Sequence, residues 1–60
     1  MSTNVIRFDK HDGVEDTVGL FATACILARL FDNTRAQIET RLQAGEHIET
    51  HWFIYRLEKI

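Results

Sequence analysis

The stretch VEDTVGLFATACILARLF, residues 14–31, decides the fold, because nothing else in the chain is apolar enough, for long enough, to centre a domain of 60 residues. Its spacing predicts a long central helix. At about 3.6 residues per turn, Leu20, Ala24, Leu27 and Phe31 share one face. Phe21, Cys25 and Ala28 lie to one side of it, and Ile26 and Leu30 to the other. Val14 and Val18 fill much of the back, leaving a thin polar arc of Glu15 and Arg29 with small Ala22 between them. A helix apolar nearly all round is normally enclosed, by its own chain or by a second subunit. Its start is expected at Asp12, a capping residue with Glu15 three positions on as reciprocal acceptor. Glu15 and Asp16 also suit the positive end of the helix dipole. The uncharged run Thr17–Ala28 falls well short of the ~20 apolar residues that a bilayer requires, so no membrane span is expected.

On the N-terminal side, Asn4 to Asp9 (NVIRFD) alternates, with Ile6 and Phe8 on one face and Val5 and Arg7 on the other, the pattern of a short strand. Lys10–Gly13 reads as a polar turn leading into the helix. On the C-terminal side, Asp32-Asn33-Thr34 interrupts the apolar pattern. Thr34 with Gln37 forms a second capping-box signature, so a shorter helix is expected over Arg35–Ala44, stopped by Gly45. Its large apolar residues are Ile38 and Leu42, one turn apart, flanked by Arg35 and Arg41. Ala36, Gln37, Glu39, Thr40, Gln43 and Ala44 occupy the opposite face.

From Glu46 the composition turns β-branched and aromatic, and Ile48–Glu58 reads as one strand. Ile48, Trp52 and Ile54 fall on one face, and Phe53, Tyr55 and Leu57 on the other. This strand is expected to pair with Asn4–Asp9. The fold class is therefore α+β in a single small domain, 1–60: N-terminal strand, long central helix, second shorter helix, C-terminal strand pairing with the first.

The bulk numbers bound the function. A chain this short is near the lower size for folding unaided, and its one cysteine permits no internal disulfide, so a homodimer interface is a natural supplement. The formal charge is −2: residues 1–12 and 33–60 each sum to zero, and residues 13–32 carry the excess. That excludes a strongly basic nucleic-acid module and an acidic polyanion mimic. MSTNVIRF lacks the basic and apolar regions of a signal peptide, so the expected location is cytoplasmic.

Two consecutive helices broken at Asp32-Asn33-Thr34 have the spacing of a helix-turn-helix. Ala28 stands where the first helix of that motif takes a small residue, and Ile38 where the second takes its core anchor. Gly45 and the aromatic strand follow as a wing or hairpin does. Residues 28–55 thus resemble the small helix-turn-helix modules of phage regulators and homing-endonuclease tails. They depart from the pattern in two ways: Asp32 holds the turn position where glycine is usual, and the chain lacks net positive charge. The resemblance implies that the second helix enters the major groove of duplex DNA. Gln37, Thr40 and Gln43 would then face bases, and Arg35 and Arg41 phosphates.

Two other constellations compete. Phe53, Tyr55 and Leu57 form an apolar face beyond what the core needs, which a partner such as a host protein complex would cover, as for a small phage-type inhibitor. His47 and His51 have metal-pair spacing only on a helix; on a strand they stand ~13 Å apart, and no metal or other cofactor is expected. Asp9, Asp12, Glu15 and Asp16 cluster, but capping accounts for them. No nucleophile, base and orienting group converge, so the chain reads as non-enzymatic.

Overall fold

The computed structural model describes residues 3–58. Six elements follow in the order β1 (Asn4–Asp9), β2 (Glu15–Gly19), α1 (Leu20–Phe31), α2 (Arg35–Gln43), β3 (Ile48–Glu49) and β4 (Phe53–Leu57). The strands form one antiparallel sheet in the order β2-β1-β4-β3, with both helices on one face. The fold class is α+β, and the expected pairing of the first and last strands is present, from Val5 opposite Leu57 to Asp9 opposite Phe53.

The central helix is shorter than its apolar run. Residues 15–19 are a strand instead of its first turns. Asp9 and Gly13 explain why. The Asp9 carboxylate accepts the His11 N–H at 2.8 Å, its carbonyl accepts the Gly13 N–H at 2.8 Å, and its N–H donates to the Val14 carbonyl at 2.8 Å. Gly13 takes a left-handed φ of 78°, open to it for want of a Cβ. Asp12 therefore caps no helix; its carboxylate accepts the Val14 N–H at 2.9 Å inside a hairpin turn. Thr17 and Val18, stiff at χ1, suit the strand that follows. The helix begins after Gly19 without a side-chain cap.

The C-terminal strand is also divided. At Thr50 the hydroxyl oxygen accepts the Phe53 N–H at 2.9 Å and the Trp52 N–H at 3.3 Å, folding the chain into a hairpin that sets Ile48 opposite Tyr55. Both of those residues are buried. The expected grouping of Ile48 with Trp52 and Ile54 is broken by this turn, and Trp52 stands exposed near its tip.

The core is Val5, Ala24, Leu27, Ala28, Ile38, Leu42, Ile48 and Tyr55, with Val18, Leu20, Phe53 and Leu57 packed at its margin. The face of Phe53, Tyr55 and Leu57 is thus the one the helices cover. Tyr55 is only 7% exposed, which corrects the expectation of a free aromatic face there. The central helix, in contrast, is not enclosed by its own chain. It buries Thr23, Ala24, Leu27 and Ala28 and leaves Phe21, Ile26, Leu30 and part of Phe31 in solvent. Cys25 is half-buried. Among the described residues no helix is long and apolar enough to cross a membrane.

Candidate nucleic-acid interface

α1 and α2 are joined by a three-residue turn whose geometry follows from its side chains. Asp32 adopts the left-handed conformation, φ 57° and ψ 39°, and is the one described non-glycine residue with positive φ. This is the turn position where glycine is usual in the helix-turn-helix modules that the segment resembles. Aspartate tolerates this region better than most L-residues. The Asn33 N–H returns to the Ala28 carbonyl at 2.9 Å, which closes α1 and redirects the chain. Thr34 then caps α2. Its hydroxyl accepts the Gln37 N–H at 3.1 Å, and Gln37 Oε1 accepts the Thr34 N–H at 2.9 Å, the reciprocal pair expected from sequence. Gly45, φ 91°, follows the helix end as anticipated.

Ala28 and Ile38 both lie in the core cluster, Ile38 fully buried. Ile38 and Leu42 tie α2 down by one narrow stripe, so the rest of the helix faces outward. Gln37, Thr40 and Gln43 are exposed on it. With Asn33 and Ala36, Gln37, Thr40 and Arg41 line a shallow surface depression. Sequence reasoning did not single out Asn33 and Ala36 for this surface. Their spacing with Gln37 and Thr40, three to four residues at a time, was the available signal.

Of the expected site residues, Gln37, Thr40 and Arg41 therefore share one surface, whereas Gln43 lines a separate depression with Leu42, Gly45 and His47, and Arg35 stands on the α1 side of the helix against Phe21. Gln37 spends its carbonyl oxygen on the cap and keeps only its amide N–H groups free. Both arginines are engaged: Arg35 pairs with Glu39 and its guanidinium lies 4.9 Å from the centre of the Phe21 ring, while Arg41 Nε donates to Glu46 at 3.2 Å. Elsewhere Arg7 pairs with Asp16, Lys10 with Glu49, and Arg56 with Glu15. Among the described residues Arg29 is the basic side chain without an acidic partner. The surface is thus nearly neutral in detail as well as in sum.

His47 precedes β3, and His51 lies in the hairpin turn, edge-on to Trp52 at 4.8 Å. Among the described residues no three His, Cys, Asp or Glu side chains are grouped to hold a metal. Comparison with family models, curated proteins and solved structures finds no match.

Proposed function

We propose that the chain is a small, non-enzymatic DNA-binding regulator of phage or mobile-element type, acting in the cytoplasm through α2. The observation that carries this reading is the turn at Asp32. It brings Ala28 and Ile38 into the core and leaves the outer face of α2 free along its length. In a helix-turn-helix that face lies in the major groove.

Thr40 and Gln43 are the base-reading residues in this assignment, Gln43 suited to adenine and the Ala36 methyl to thymine. Gln37 mainly holds the cap. Arg41 and Arg35 reach phosphates by leaving Glu46 and Glu39. Such exposed pairs are worth under about 1 kcal/mol, so a phosphate competes with them readily. Few phosphates are contacted, because few cations are available. The expected behaviour is weak nonspecific binding, a shallow salt dependence and affinity that depends on sequence.

The test is fluorescence anisotropy against random duplex DNA across a salt series, with selection of bound sequences from a random library. An enriched motif, bound with linear log–log salt dependence, supports the reading. No enrichment and flat anisotropy at low salt defeat it. Docking of a host protein on Phe53, Tyr55 and Leu57 is the weaker alternative, since these side chains pack under the helices.

A further inference from the structure

β2 is an outer strand, with no other strand beside its free edge among the described residues. The Val14 carbonyl and the Leu20 N–H are bonded toward the β1 side, to Asp9 at 2.8 Å and to Thr3 at 3.3 Å. By alternation, the N–H and C=O groups of Glu15, Thr17 and Gly19 point away from the sheet. The strand runs in continuous register and carries no proline, lysine or bulge to blunt this edge. Beside it lies an unpartnered flank of α1. α2 packs against the flank of α1 that bears Phe21 and Ala28, and it lies over β4. Ile26 and Leu30 fall on the opposite flank, the β2 side, 60% and 61% exposed.

We propose that a second copy of this chain covers that side, related by a two-fold axis at Thr17. β2 then pairs antiparallel with its equivalent, doubling the four-stranded sheet. The Ile26–Leu30 stripes of the two α1 helices meet above the junction.

The edge is self-complementary. Pairing about Thr17 sets Glu15 opposite Gly19 of the partner subunit and Asp16 opposite Val18 of the partner subunit. The acidic end of each strand meets the neutral end of the other, and no like charges are opposed. β3, the other edge strand, has two residues and offers no comparable edge. Since both copies use the same edge, the contact closes at two instead of growing into a filament. The strand is about 17 Å long and α1 about 18 Å. Their two-layer strip covers on the order of 600 Å² per partner, the low end for a stable dimer. A micromolar dimer is the expected result. The inference does not depend on DNA binding.

Sedimentation equilibrium of the full chain, from micromolar to millimolar concentration, tests it. The wild type should show a monomer–dimer equilibrium. Thr17→Pro removes an N–H that faces away from β1, and Ile26→Glu charges the stripe. Each should weaken the dimer by roughly tenfold or more, with the far-ultraviolet circular dichroism unchanged. If Thr17→Pro fails to fold, Ile26→Glu decides. A wild type monomeric up to millimolar concentration overturns the proposal, and so does a dimer undiminished in folded Ile26→Glu.

Discussion

Thr34 and Gln37 exchange two hydrogen bonds across the first turn of α2, hydroxyl to N–H at 3.1 Å and amide oxygen to N–H at 2.9 Å. This reciprocal pair satisfies donors that a helix start otherwise leaves to water, and it orients the helix proposed to read DNA. Thr34→Ala should cost about 1 kcal/mol in urea denaturation, and Thr34→Ser or Thr34→Asp much less. A stability as high as wild type in Thr34→Ala would mean that core packing alone sets the start of α2.

Asp32 occupies left-handed backbone space at the carboxyl end of α1, where its charge also opposes the helix dipole. Asp32→Gly removes both penalties, while loosening the unfolded chain. The net expectation is a gain of about 0.5–1 kcal/mol. Asp32→Val, forced into the same φ, should lose about 1–2 kcal/mol. Thermal unfolding of the three proteins reads the order directly.

The arginine pairs make a prediction about DNA. Arg41→Ala should reduce the slope of log affinity against log salt by about 0.9, one phosphate contact. Glu46→Gln frees Arg41 and should strengthen binding. Gln43→Ala should relax preference at one base pair, worth about 1–3 kcal/mol of discrimination. Folding stability should move by less than about 0.5 kcal/mol in each, because all three side chains are on the surface. Equal binding by all three variants on an enriched site would remove α2 from the interface.

Tyr55 supplies a pH dependence. Burial raises its phenol above the ordinary value of 10.0, and the neighbouring Arg7 charge pulls partly the other way. A group whose value is raised on folding adds stability that is complete below the unfolded value and is lost as pH rises through the folded one. The protein should therefore weaken above about pH 10. As the chain has a single tyrosine, tyrosinate absorbance reports this site alone. Its midpoint should lie above that of the unfolded chain and rise further in Arg7→Met.

Much of the site was legible in local sequence because it is built from local hydrogen bonds. Thr34 with Gln37, and Gly45 after α2, involve partners a few residues apart, and their chemistry admits few alternatives. The same local logic misled at Asp12. That residue serves a helix cap and a hairpin turn equally well, and the Asp12-Gly13 pair between two β-compatible runs signalled the hairpin. Val14–Gly19 fits either period over so short a run. The deciding interaction is its ladder with β1, from Phe8 opposite Glu15 to Asn4 opposite Gly19, whose partners lie across a turn.

By itself the sequence determined the α+β class, the pairing of first strand with last, the break at Asp32–Thr34 and the outward residues of α2. These depend on composition, on caps and on the period of a helix held by Ile38 and Leu42. Only the tertiary structure decided which side of each apolar element is covered. Phe53, Tyr55 and Leu57 looked free and lie beneath the helices; the central helix looked enclosed by its own chain or a second subunit, and its own chain leaves Ile26 and Leu30 uncovered. The physical reason is that hydrophobic burial has no direction of its own. An apolar face records that something must cover it, and the sheet order β2-β1-β4-β3 selects what does.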